Sequence, residues 1–181
     1  MERRAAIVEI AEARVRRLTP EQRASMLLGW EAIDADDPDF ASLPARLRAV
    51  LEAELPLDPM DELVEPLLCL ALRRSFVGVV NGYLEACLAE LGRVERVEGE
   101  VERLRGCACC GYRTLTELGF DVCPVCFWEE DGGRDPEKVS GPNPITLAEA
   151  RRNFGSIGAM SESSLAHVLP DGRARYARVD A

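Results

Sequence analysis

Apolar side chains recur at helical spacing through the first ninety residues. Val8, Ala11, Val15 and Leu18 fall at i, i+3, i+7 and i+10 with charged residues between them, which predicts an amphipathic helix over residues 2–18. Thr19-Pro20-Glu21-Gln22 then starts a second helix, with Thr19 as N-cap, Pro20 at the first helical position and Gln22 at N3 closing a capping box. That helix carries Met26, Leu27 and Trp30 and is expected to end near Ile33. Pro44 opens a third, with Leu47, Val50 and Leu51 on one face. Asp58-Pro59 is another N-cap with a first-turn proline. Helical pattern follows as far as Gly92, a good C-terminal cap, as one helix or as two joined near Arg74-Ser75. Val80, Leu84, Cys87, Leu88 and Leu91 form one apolar stripe there. Cys87 on that stripe, and Cys69 in Leu67-Leu68-Cys69-Leu70, read as small core residues.

The pattern changes from Val94. Residues 97–104 alternate partially and predict a strand. Tyr112-Arg113-Thr114-Leu115 and Phe120-Asp121-Val122 flank Glu117-Leu118-Gly119 and read as a short hairpin. Residues 129–133 form an acidic glycine turn, and 140–144 a second irregular stretch. Thr146-Leu147-Ala148-Glu149 is a capping box for a helix over about 147–154, with Leu147 and Ala150 inward. Residues 161–168 suggest a last short helix, and 173–181 a loose polar tail. The expected fold is therefore α+β: an acidic α-helical domain over 1–93, then a cysteine-rich domain over 94–181 built as a zinc-ribbon or rubredoxin-like β-hairpin module with trailing short helices.

Charge narrows the partners. The net charge is −10; residues 1–100 carry 20 acidic and 12 basic side chains, residues 101–181 carry 12 and 10. No basic face suited to nucleic acid is evident. Acidity suits a basic protein partner, or solubility alone. Asp34-Ala35-Asp36-Asp37-Pro38-Asp39-Phe40 reads as a solvated helix–helix connection or as a partner-binding loop with Phe40 as an apolar anchor. It lacks the central glycine and terminal glutamate of an EF-hand. No apolar run approaches the roughly 18 to 20 residues that span a bilayer, and the first residues lack a signal-peptide core, so a cytoplasmic location is expected.

Five of the seven cysteines lie in Cys107-Ala108-Cys109-Cys110-Gly111-Tyr112 and Cys123-Pro124-Val125-Cys126-Phe127-Trp128. Cys107/Cys110 and Cys123/Cys126 are two C-x-x-C pairs, and in a reducing compartment such pairs mean metal more often than disulfides. Two residues between cysteines let one tight turn aim both sulfurs at a point, and two such turns supply the four ligands of a tetrahedral Zn2+ site. Iron remains open as the metal. Gly111 follows the first pair and supplies a positive φ; Pro124 stiffens the second turn. Cys109 is a fifth thiol that points away in this scheme. An alternative takes Cys109–Cys110, or one C-x-x-C pair, as a dithiol switch. His167, the only histidine, reads as an outlying ligand, a general base or a helix-end hydrogen-bonding residue. There is no phosphate-binding glycine loop, nucleophile elbow or H-E-x-x-H, and nothing indicates an enzyme.

The two cysteine motifs, with Glu129-Glu130-Asp131-Gly132, Gly141-Pro142-Asn143 and Leu147-Ala148-Glu149-Ala150-Arg151-Arg152-Asn153-Phe154, resemble the bacterial cysteine-rich CPCC domain family over about residues 105–168. The family's first motif has proline where this chain has Ala108, a departure that touches knuckle rigidity and not the ligand count. The resemblance implies a small zinc-ribbon-like module with Cys107, Cys110, Cys123 and Cys126 as ligands. Some family members look like proteins of toxin–immunity neighbourhoods. The expected function is thus a non-enzymatic zinc protein whose acidic helical surface binds a basic protein, an immunity protein facing a cationic toxin being the concrete version. The alternative is a thiol-redox or zinc-responsive regulator using Cys109 and the C-x-x-C pairs.

Overall fold

The computed structural model describes residues 1–30, 32–117, 119–133, 135–139 and 141–179. Leu118 of the expected hairpin turn, Ser140 of the second irregular stretch, Glu31 of the second expected helix and the last two tail residues lie outside the described residues. The architecture is α+β. Two compact units form: Met1–Val77 with Leu84–Glu100, and Gly78–Tyr83 with the chain from Val101 onward.

The first unit is helical: α1 (Arg3–Val15), α2 (Pro20–Leu28), α3 (Ala45–Glu52), α4 (Glu65–Arg74) and most of α5 (Asn81–Glu90). The capping box at Thr19 forms in both directions. Thr19 Oγ1 accepts from the Gln22 amide at 3.3 Å, and Gln22 Oε1 accepts from the Thr19 amide at 2.9 Å. α1 buries Ala6, Ile10, Ala11, Ala13 and Val15, and it packs on α4. Leu27, Leu47, Leu51, Val64, Leu67, Leu68 and Leu70 form the core, each worth roughly 1.5–3 kcal/mol of burial.

Several boundaries differ from those the sequence predicts. α1 stops at Val15 and α2 at Leu28, where Gly29 caps the helix. Leu18, Trp30 and Ile33 lie beyond those ends, yet pack on the core from turns. Apolar spacing registered their burial and overextended the helices. Asp58-Pro59 starts no helix. Its carboxylate accepts from the Met60 amide at 2.9 Å, and the same chemistry at Asp61 (Leu63 amide, 2.8 Å) precedes a 3-10 turn, Glu62–Val64, that feeds α4. α4 and α5 are separate helices, with the fully buried Phe76 between them.

The acidic turn is corrected most. Phe40 opens a 3-10 turn and is only 3% exposed, so it is a core residue and no surface anchor. Asp37 and Asp39 together clasp Arg74, whose Nη1 donates to Asp37 and whose Nε donates to Asp39, both at 2.9 Å. The Arg74 guanidinium also lies 4.9 Å over the Trp30 ring. Hydrogen bonding from Arg74 holds the Asp37 carboxyl below the usual carboxylate range. Asp34 and Asp36 stay exposed.

Residues 97–104, divided between the two units at Glu100, do not form the expected strand. Glu102 instead accepts from the Gly78 amide at 3.0 Å. Gly78 has φ +73°, and a Cβ there would meet Leu104 Cδ1 at 2.3 Å, so only glycine fits this approach. The strands are β1 (Arg105–Gly106) and β2 (Arg113–Leu115), antiparallel, with Arg105 opposite Leu115 and Gly106 opposite Arg113. The hairpin thus turns at the first cysteine motif and not at residues 117–119. Asp121 explains the shift, because its Oδ2 accepts from Thr116 N at 2.6 Å and Thr116 Oγ1 at 2.8 Å, tying β2 into a loop before a second strand can form. Val122 makes a single bridge to Glu129. α6 (Leu147–Ile157) buries Leu147, Ala150 and Phe154 at i, i+3 and i+7 and ends at Gly158, φ +86°. A 3-10 turn, Glu162–Ala166, and α7 (Gly172–Arg175) follow. The tail is held rather than loose as far as Val179: Tyr176 bridges Val79, and Arg178 bridges Tyr112. Among the described residues no helix is long and apolar enough to cross a membrane.

Phe40→Ala is expected to cost about 3–5 kcal/mol of unfolding free energy in the helical unit, read by urea denaturation. A surface anchor would cost almost nothing. The Asp37–Arg74 clasp has a definite pH sign. A carboxyl depressed in the folded state stabilises above its unfolded value and loses that contribution as pH falls through the folded value, below about pH 4. Arg74→Ala should therefore shallow the acid side of the urea-midpoint profile; an unchanged profile would show that the clasp contributes nothing.

Candidate metal centre

Two turns of one design build the centre. In the first, the Gly111 amide donates to the Cys107 carbonyl and the Cys107 amide to the Tyr112 carbonyl, both at 2.8 Å. In the second, Phe127 donates to Cys123 and Cys123 to the Trp128 carbonyl, again both at 2.8 Å. The residue just after each C-x-x-C pair is left-handed: Gly111 at φ +77° and Phe127 at φ +68°. Glycine accepts that conformation readily; phenylalanine pays strain there. Phe127 is held by a stack on His167, with ring centroids 4.8 Å apart and planes 25° from parallel.

The turns bring Cys107, Cys110, Cys123 and Cys126 together, all buried, with their sulfurs within 4.8 Å of one another. Cys107 lies 3.6 Å from Cys126, and Cys110 3.6 Å from Cys123. A tetrahedron with metal–sulfur bonds of about 2.3 Å has sulfur–sulfur edges of about 3.8 Å, so the donor set and its spacing fit one four-thiolate ion. Thr114 on β2 points its hydroxyl at Cys123 Sγ, 3.2 Å away, an outer contact of the kind that orients a ligand. Hydrogen bonds from Cys107, Cys110 and Cys126, with a smaller one from Thr114, push the Cys123 thiol well below its ordinary value. Hydrogen bonding to Cys110 and then Cys123 pushes Cys107 well above. Crowding sets the four thiols against one another, so that ionising one disfavours ionising the rest, and a bound cation would supply the positive charge that lets all four ionise.

The rest of the second unit holds these turns in place. The Met160 amide donates to the Cys126 carbonyl and the Leu169 amide to the Pro124 carbonyl, both at 2.8 Å. On the first turn, the Val179 amide donates to Gly111 O at 2.8 Å and Arg178 Nε to Cys110 O at 3.1 Å. Asn143, 1% exposed, completes the bridge after the second turn: its Oδ1 accepts from Glu129 N at 3.1 Å and its Nδ2 donates to Glu129 O at 2.8 Å. Sequence patterning named neither Thr114 nor Arg178 as a site residue. Asn143 stood in the Gly141-Pro142-Asn143 motif without a role, and no local signal set it apart from an ordinary turn asparagine.

Cys109 lies outside the four-thiol group and is 8% exposed. His167 is also outside it, its ring on Phe127 and its amide donating to Ser164 O at 3.0 Å. Cys87 is a buried core residue that accepts from Arg14 Nη2 at 3.3 Å; Cys69 is half-buried.

A pair of matched cysteine turns closed on one buried four-sulfur centre defines a cysteine-rich module compatible with structural metal binding. Residues 105–174 match the family described as Cysteine-rich CPCC, which supports a domain of that family in this part of the chain. No curated protein and no solved structure matches the chain.

The centre should hold one metal ion per chain. Cys110→Ser or Cys126→Ser should lower metal affinity by at least tenfold and release the ion to a chromogenic chelator; full occupancy in both variants would contradict the four-thiol assignment. Asn143→Ala should cost about 1–3 kcal/mol of unfolding free energy in the metal-loaded protein, since it leaves the Glu129 amide and carbonyl unpaired.

Proposed function

We propose that this is a non-catalytic binding protein in which a structural Zn2+ holds a zinc-ribbon-like module together while the acidic helical unit receives a basic protein partner. The observation that carries the reading is the convergence of four buried cysteine sulfurs within 4.8 Å. Protein sulfur then fills every position of a tetrahedral ion and leaves none open for a substrate, the arrangement of structural sites. Zinc is preferred to iron because a folding role asks for no redox change. Metal analysis decides between them, with the visible absorption of a ferric four-thiolate centre as the other outcome.

Charge supports the partner. The helical unit carries 20 acidic against 12 basic side chains. With Asp37 and Asp39 committed to Arg74, the exposed carboxylates Asp34 and Asp36 are the members of the acidic turn left facing solvent. A cationic toxin, held by an immunity protein, is the particular partner that the CPCC resemblance suggests. The alternative switch function needs a reachable fifth thiol, and the burial of Cys109 weighs against it.

The test is co-expression with the product of the adjoining gene, followed by binding measured at low and high salt. The reading predicts a complex whose association slows as salt rises. Asp34→Asn with Asp36→Asn should slow it further without changing the unfolding midpoint. Absence of any complex at low salt would remove the partner reading while leaving the metal centre untouched.

A further inference from the structure

A cavity of about 740 Å3 opens beside the first cysteine turn, within the second unit. Its wall is the turn itself, Gly106 to Gly111, with Phe154 and Gly155 of α6 and Val179 of the tail. Three arginines line it: Arg151 from α6, Arg173 from α7 and Arg178 from the tail. No carboxylate is among its described lining residues. In a chain with ten more acidic than basic side chains, three guanidinium groups around one hollow, none ion-paired to a described residue, call for an explanation.

Their hydrogen bonding is incomplete in a consistent way. Arg151 Nε donates to Ala108 O at 2.9 Å, and Arg178 Nε to Cys110 O at 3.1 Å. These bonds fix the orientation of two guanidinium planes on the turn. Each guanidinium carries five N–H donors, so the terminal amino groups keep four apiece, and none of these has a protein acceptor among the described residues. Arg173 spends no donor on any described residue. Its guanidinium lies 4.8 Å over the Phe154 ring, a stacking contact that leaves its in-plane edges open. No ion pair to a described residue neutralises any of the three.

We propose that this cavity binds a phosphate group. Three fixed positive charges match a phosphomonoester, which carries about −1.5 to −2 at neutral pH and three acceptor oxygens, better than a singly charged carboxylate that one guanidinium fork satisfies. The volume falls within the range of about 300–1,000 Å3 of small-molecule sites. The Phe154 and Val179 side offers apolar wall for an organic group attached to the phosphate. Free phosphate and a phosphorylated small molecule share this chemistry, and their affinities tell them apart.

The experiment is calorimetric titration of the full, metal-loaded chain with inorganic phosphate and, separately, with adenosine monophosphate, at constant ionic strength. Saturable binding is expected with Kd of about 1 mM or tighter. Arg173→Ala should weaken it at least tenfold while metal content stays at the wild-type level, because Arg173 makes no bond to the cysteine turn. Arg151→Ala is the second variant and should act in the same direction. Arg152→Ala, next to it on α6 and outside the cavity lining, should leave affinity unchanged. Tighter binding of the nucleotide assigns the site to a phosphorylated metabolite; equal affinity assigns it to free phosphate. No saturation by about 10 mM of either probe, or equal weakening by all three variants, overturns the proposal.

Discussion

Four buried sulfurs within bonding range of one ion are the constraint on which the second unit depends. Four thiols crowded at that spacing resist ionising together, and a bound cation would relieve that. Around them the secondary structure among the described residues is slight: two strands of two and three residues, the eleven-residue α6, the four-residue α7 and short turns. Leu115, Val125, Trp128, Leu147, Phe154 and Met160 are buried, but this is a small core for a segment of about eighty residues. The segment that follows the second turn in sequence is sewn to the centre by backbone bonds from Met160 and Leu169, and the tail by bonds from Arg178 and Val179. Each of those bonds ends on a residue of a cysteine turn, so fixing the turns fixes the rest.

The helical unit obeys a different rule. Its leucines and small alanines bury a continuous interior, and charged groups such as Arg74, Arg23 and Arg93 tie its surface turns and helices together. The two units therefore divide the work in the proposed function: thiol chemistry secures one fold, and apolar burial secures the other while leaving acidic surface to face a partner.

Legibility in the sequence followed the same division. The grouping of four cysteines from two C-x-x-C turns, the positive φ at Gly111, the capping box at Thr19, the N-cap at Thr146 and the leucine face of α3 were readable, because each depends on residues a few positions apart. Long-range closure was not readable. Nothing local says that Asp37 and Asp39 reach Arg74, that Phe40 turns inward, or that the polar tail returns to Tyr112 and Gly111. The hairpin was misplaced for a related reason. Propensity finds two β-like runs on either side of Gly119, whereas the cysteine turn itself makes the reversal and pairs β2 with the residues before it. Phe127 is the instructive case at the site. It takes the same left-handed role as Gly111, which its residue type hides and its ring stack on His167 makes tolerable.

Hydrogen–deuterium exchange on the metal-loaded and chelated chain tests the central claim most directly. The account predicts that removing the metal abolishes amide protection at the Gly111, Phe127, Met160 and Val179 bonds and across α6, while α1, α3 and α4 keep theirs. Protection of the cysteine turns that survives complete metal removal would contradict it.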